Sequence, residues 1–259
     1  MTNRDHPVQG ERLLPPHPKL ERYYQSEQER PAVLGGLFDA SAKYYDRITW
    51  LMSLGSDRAY RRRVLLQSGL APGMSLIDVA CGTGMVAAPA RDIVGPEGRV
   101  VGVDPSSGML NEARKQGRLG WAVRGKAEDL PLADDCFDVL SMGFALRHVA
   151  DLGAAFKECL RVLKPGGTMV IIEIGRPSSQ LSYNFLKFYL KCVVPGITRL
   201  TTLSRDAQSL MDYHWDTIDR CILPEAIMSA MEGAGFTQVN RKVTLGLFNE
   251  YRAKKPLAG

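Results

Sequence analysis

Between residues 75 and 174 the chain alternates between short apolar runs and stretches whose apolar residues recur at helical spacing. The runs at 75–80, 99–103, 121–124, 137–142 and 168–174 are dominated by Val, Ile, Leu and Ala. That length and composition suit strands buried on both faces. Helical periodicity fills 84–94, 107–115 and 152–163; in the last, Leu152, Ala155, Phe156, Cys159, Leu160 and Leu163 share one face. Repeated strand–helix units predict a parallel sheet with helices on both sides. A further helix at 224–233 precedes strands at 236–242 and 244–252. Their link is too short for a parallel crossover, so the pair reads as a hairpin with an antiparallel last strand. The expected fold class is α/β: a doubly wound, mostly parallel seven-stranded sheet.

The flanks break this rhythm. Residues 1–22 are rich in proline, show little periodicity and read as a flexible arm. Residues 23–72 are helical, with Leu34, Leu37 and Phe38 on one face; a second helix opens at Asp57. Its arginines 61, 62 and 63 read as a solvated face. The stretch LSYNFLKFYLKCVVPGI is apolar almost all round, with Lys187 and Lys191 as its charges. A helix of that kind is buried or covers an apolar ligand. The expected organisation is therefore an arm (1–22), N-terminal helices (23–72), a core (73–176), a helical cap over the sheet's carboxyl edge (177–221) and the end of the sheet (222–259).

Composition narrows the classes. A formal charge of +5 on 259 residues is a mild excess, read as a solvated surface, so no nucleic-acid partner is expected. The five cysteines are scattered with no CxxC pair, which argues against a zinc ribbon or a disulfide framework. No apolar signal core opens the chain and no run of about 18 apolar residues occurs, so a cytoplasmic location is expected. No metal site is expected.

The chemistry concentrates in LIDVACGTG at 76–84, a strand ending in a glycine turn that opens a helix. Glycine lets the backbone turn tightly and approach a ligand, and the helix start aims free N–H groups at it. Twenty residues later VVGVD places Asp104 at the tip of the next strand, the arrangement that holds a nucleotide ribose in open α/β sheets. Gly82-Thr83-Gly84-Met85-Val86-Ala87 fits GxGxxA, the dinucleotide fingerprint. Asp78, inside the first strand, argues against NAD and suits a ligand carrying an ammonium group.

LIDVACGTG resembles the first motif of the class I S-adenosyl-L-methionine (SAM) methyltransferases, which share a Rossmann-like fold. VVGVDPSSGML, GKAEDLPLADDCFDVL and KECLRVLKPGGTMVIIE are similar to that class's later motifs. FDASAKYYDRITWLMSLGSDRAYRR and GFALRHVADLGAAFKECLRVLKPGG resemble the ubiquinone/menaquinone C-methyltransferase family in order. The resemblance implies SAM as cofactor, contacted by Tyr45, Asp78, Ala80, Gly82, Gly84, Asp104, Pro105, Met109, Lys126, Ala127 and Gly143. Asp104 would take both ribose hydroxyls, Pro105 and Met109 would flank adenine, and the Ala127 amide would read its edge. A cation at 126 cannot accept from the adenine amino group, so Lys126 would point away. Arg147 and His148 are the candidate catalytic pair, one to stabilise a phenolate and one to take a phenol proton. Phe144, His214 and Trp215 would shape the acceptor pocket. In the cap MDYHWDTIDR replaces the family's usual tyrosine–leucine segment.

The implied activity is methyl transfer to a small apolar aromatic acceptor, a quinol ring carbon first. Transfer to oxygen or nitrogen of a natural product is the alternative, and a non-catalytic SAM sensor shares every cofactor motif. A peripheral membrane contact and a homodimer stay open.

Overall fold

Strand β1 (Ser75–Val79) is buried at every position, as its run of apolar residues demands. The computed structural model describes residues 13–202 and 205–258. In it, β1 lies between β2 (Arg99–Asp104) and β4 (Phe137–Gly143), parallel to both, with Ile77 opposite Val101 and Leu140. With β3 (Trp121–Arg124), β5 (Leu163–Ile174), β6 (Thr237–Thr244) and β7 (Phe248–Lys254), the sheet has seven strands in the order β3-β2-β1-β4-β5-β7-β6. β7 runs antiparallel to both neighbours. The direction of strand progression reverses between β1 and β4, and there the carboxyl edge opens a crevice for ligands.

Two long helices precede the sheet, α1 (Arg30–Ser53) and α2 (Asp57–Gln67). One face is covered by α2, α3 (Ala87–Val94) and α4 (Ser107–Lys115), whose Leu65, Ile93 and Leu110 pack with Leu76 and Val139. α5 (Leu152–Val162) covers the other face with Phe156 and Cys159 against Ile77 and Leu140. The cap consists of α6 (Gln180–Phe188), a π-helical turn at Tyr189–Val193, α7 (Val194–Thr202) and α8 (Arg205–Asp219). It packs on α1 through Ile48, Leu190, Met211 and Trp215. α9 (Pro224–Gly233) returns to the sheet with Ile227 and Met231. No helix among the described residues is long and apolar enough to cross a membrane.

Two expectations need correction. The hairpin turn lies at 245–247, later than the sequence pattern puts it, with Leu245 and Gly246 at φ of 55° and 66°. β6 is mostly exposed, so its side chains carry little alternation from which to read a boundary. Residues 13–22 are not loose. The Leu14 and Pro16 carbonyls accept from the amides of Leu152 and Ile222, and Leu20 packs with Tyr24, Leu34 and Tyr213. Leu20 and Tyr24 supply enough apolar contact to tie the segment down. Residues 1–12 of the expected arm lie outside the described residues.

Candidate active site

Ala80 follows β1 with φ of 52°, and the turn continues through Gly82 and Gly84 at 54° and 78°. This left-handed region disfavours residues with a Cβ, so the turn is formed by glycines and one strained alanine. The Gly82 amide donates to Asp104 Oδ2 at 2.8 Å, and the Ser106 amide donates to Oδ1 at 2.8 Å. Asp104 thereby fastens the glycine turn to the end of β2. It is buried, which pushes its carboxyl up to about 6. Asp78 is wholly buried one strand away; Ser141 Oγ donates to its Oδ1 at 2.8 Å, while Oδ2 has no partner. Burial pushes this carboxyl up to about 7.

Helix α1 lies across this cradle. Asp39 Oδ1 accepts from Ser106 Oγ at 2.5 Å and from the Gly108 amide at 2.8 Å, capping α4 from outside. Asp46 accepts from Thr83 Oγ1 at 2.5 Å and pairs with Arg118 at 2.7 Å. Asp46 thus folds back over the glycine turn. Asp39 and Arg118 escaped the sequence reading, because neither belongs to a run whose spacing reports the other. Met109 is buried on α4, and Pro105 is exposed with its carbonyl accepting from Arg124 Nε at 3.1 Å. Lys126 is exposed and Ala127 buried beside it.

Beside the cradle, α1, α2, the cap and the hairpin enclose a cavity of about 1130 Å³, lined mostly by apolar side chains. Arg147, His214 and Phe144 reach its wall. Phe144 follows β4 with φ of 60°, a second strained residue at the carboxyl edge. Tyr45 also lines the cavity, its ring 6.5 Å from those of Phe38 and His214.

Arg147 is buried and fully engaged. Its Nη1 pairs with the Glu173 carboxylate, Nε donates to Thr217 Oγ1 at 3.1 Å, and Nη2 lies 3.0 Å from His214 Nδ1. A guanidinium nitrogen only donates, so His214 Nδ1 accepts and the neutral ring carries its proton on Nε2. Burial, then the Arg147 charge, hold His214 well below the ordinary range, so the ring stays neutral. His214 therefore offers the cavity an N–H donor and no base. Glu173 was not foreseen, although one acid inside the apolar run MVIIEI was a readable signal.

The structure does not bring every expected residue to the cavity. His148 is held away from it, stacked on Tyr213 at 5.3 Å and edge-on to Phe38 at 5.2 Å. Trp215 is packed in the core between cap and α1, against Tyr183. Arg61, expected on a solvated face, is buried and pairs with Asp57 at 2.7 Å. Both line the cavity.

The cradle fits the cofactor's chemistry. Asp104 retains acceptor capacity for ribose hydroxyls, and the unpartnered Asp78 Oδ2 awaits a donor such as an ammonium. Both carboxylates must be ionised to serve, and both are raised above the ordinary range. Protonation from these two groups therefore favours the empty fold as pH falls through about 7 and about 6, while it opposes binding. SAM affinity measured by calorimetry should drop by about ten-fold or more between about pH 8 and about pH 5.5. A flat profile would contradict these roles.

An open sheet of this order, with a glycine turn after β1 and an acid at the tip of β2, defines a SAM-dependent methyltransferase. Residues 24–255 match the ubiE/COQ5 methyltransferase family, and the chain belongs to that family. It is 34% identical over 226 residues to the ubiquinone/menaquinone biosynthesis C-methyltransferase UbiE of Shewanella halifaxensis, covering 84% of this chain and 88% of the relative. It is 33% identical over 241 residues to the UbiE protein of Shewanella sp. strain ANA-3, covering 90% and 95%. Among solved structures, a SAM-dependent methyltransferase from Thermotoga maritima aligns with a TM-score of 0.59 at 24% identity, covering 85% of this chain and 99% of the other. The Haemonchus contortus phosphoethanolamine N-methyltransferase 2 in complex with SAM aligns with a TM-score of 0.59 at 17% identity, covering 84% and 57%.

Proposed function

We propose that this enzyme methylates a ring carbon of a quinol, as the names of its UbiE relatives describe for those proteins. The observation that carries the reading is the acceptor cavity, apolar over most of its wall and ending on a neutral histidine backed by a guanidinium. A neutral aromatic ring with an oxygen substituent matches that chemistry. The exposed Leu54, Leu181, Phe185 and Leu245 at its rim suit an acceptor whose apolar tail runs out toward a membrane surface.

Bound SAM supplies an electrophilic methyl group on a sulfonium. The protein's task is alignment and exclusion of water. The glycine turn, Asp104 and Asp78 would hold the cofactor beside the cavity. His214 donates its Nε2–H to the acceptor oxygen. The acceptor oxygen gives up its proton to solvent water. The Nε2–H donor and the Arg147 charge behind it stabilise the phenolate as electron density moves to the ring carbon. The methylated ring carbon then releases its own hydrogen as a proton to water, while the oxygen stays at the phenolate level until it is reprotonated. A hydrogen bond held on the oxygen lowers its own nucleophilicity, so this wall favours carbon over oxygen transfer. Arg147 acts through His214 and Glu173, and His148 has no catalytic part in this reading.

The test incubates the purified protein with methyl-labelled SAM and a panel of reduced demethylated quinols, small phenols and amines, with the label located by mass spectrometry. Label on a quinol ring carbon supports the reading. Label on oxygen or nitrogen replaces it with natural-product methylation. His214→Phe keeps an aromatic ring and removes the donor; kcat should fall by roughly 100-fold while SAM affinity stays unchanged.

A further inference from the structure

The cavity has a second polar wall that the reaction described above leaves unused. Tyr60, on α2, lines the cavity, and its buried hydroxyl has no hydrogen-bond partner. Among the described residues it is the one buried side-chain oxygen or nitrogen of the cavity lining in that state. The ring is held firmly: it packs on Phe248 of β7 at 5.1 Å, and the Arg63 guanidinium lies 5.1 Å over it. A hydroxyl buried without a partner is costly, and a purely apolar acceptor would give no reason for it.

Glu250, two residues along β7 from Phe248, is wholly buried. Thr244 Oγ1 donates to its Oε1 at 2.8 Å, and Arg252 Nη2 donates to Oε2 at 3.2 Å. Arg63 Nη2 lies 3.6 Å from Oε1. The charge of this carboxylate is therefore matched and its position fixed. Glu250 is the anion that bears most on Tyr60: burial, then this carboxylate, push the phenol above its ordinary range, so Tyr60 keeps its proton. A phenol beside a carboxylate turns its hydrogen toward the anion, and the oxygen lone pairs are left for the cavity. Tyr60 thus offers an acceptor where His214 offers a donor. Different elements carry the two: Tyr60 belongs to α2 and rests on the hairpin, whereas His214 belongs to α8 and meets Phe38 and Tyr45 of α1.

We propose that Tyr60, backed by Glu250, accepts the hydrogen of a second hydroxyl on the acceptor ring and so selects aromatic acceptors with two hydroxyls over those with one. The inference rests on the quinol reading and deepens it. A quinol carries two hydroxyls on one ring. One meets the His214 N–H and gives up its proton; the other keeps its proton and donates to Tyr60. Tyr60 in turn donates to Glu250, and a chain of hydrogen bonds ending on a charge strengthens each link. The oxidised quinone has carbonyl oxygens in both places and cannot donate, so the same residue favours the reduced acceptor, whose ring carbon is the nucleophile. Glu250 is a positioning residue, because it acts through the Tyr60 hydroxyl.

The test is calorimetry with S-adenosylhomocysteine in excess. It compares hydroquinone with 4-fluorophenol, each carrying the same decyl tail beside the shared hydroxyl. Fluorine is close to a hydroxyl in size but has no hydrogen to donate. The wild type should bind the hydroquinone about 10-fold or more tighter than the fluorophenol. Tyr60→Phe should bring that ratio to within about two-fold. Glu250→Gln should give an intermediate ratio, and a wild-type ratio in that variant would remove Glu250 from the chain. A merely structural role would weaken both probes alike, so an equal loss in Tyr60→Phe overturns the proposal, as does an unchanged ratio. A wild type that binds the two probes equally overturns it while the quinol reading stands. A wild type that binds neither removes the quinol reading and this proposal together, before any variant is made.

Discussion

Asp104→Asn should weaken SAM binding by at least about 100-fold while the protein still folds. The native carboxylate performs two tasks at once. It accepts the Gly82 and Ser106 amides, fixing the turn relative to β2, and it keeps lone pairs for the ribose hydroxyls. An asparagine presents one acceptor and one donor group to the same two amides, so at least one N–H faces another donor. Turn geometry and ribose contact are lost together. The fold is spared because the buried carboxylate is itself unfavourable in the empty protein, as its raised titration shows. Calorimetric titration with SAM, alongside a thermal melt, separates the two effects. Near-wild-type affinity would remove Asp104 from the cofactor site.

The largest effect on stability is expected at Glu173. Its carboxylate is the counter-ion of Arg147, and both side chains are 2% exposed. Glu173→Ala leaves a guanidinium buried without an anion and should cost about 3–5 kcal/mol, seen as a lower urea midpoint. The same change also frees the Ile174 amide that Glu173 accepts. Adding Arg147→Met to Glu173→Leu should recover most of that stability, because an apolar pair of similar volume carries no desolvation penalty. The double variant should fold yet transfer methyl groups poorly, since His214 then lacks the donor that fixes its tautomer. A Glu173→Ala protein as stable as wild type would mean that solvent reaches Arg147 after all.

The cofactor cradle was legible because its residues are close in sequence and their spacing is imposed by backbone geometry. A strand, a glycine turn and an acid at the next strand tip leave the same trace wherever a ribose is held, and Asp78, Gly82, Gly84 and Asp104 fall where that trace places them. The acceptor site was only half legible. Arg147 and His214 were singled out, but His148 and Trp215 were placed with them because adjacency in sequence was taken for a shared direction. On the short 3₁₀ turn at Leu146–His148, consecutive side chains diverge. Arg147 turns toward His214 and the cavity, and His148 turns toward Tyr213.

By itself the sequence determined the α/β alternation, the parallel sheet with its antiparallel final strand and the glycine turn with an acid at the tip of the next strand. Each is set by periodicity, turn chemistry or short spacing, which are local properties. Only the tertiary structure decided which charges are buried together. Arg118 joined Asp46 of α1 over the glycine turn, Arg147 joined Glu173 and His214 across two strand ends and the cap, and Asp39 capped a helix 67 residues away. These pairings depend on distances between elements far apart in the chain, and a hydrophobic–polar pattern records how each residue faces its own element, not what it meets across the fold.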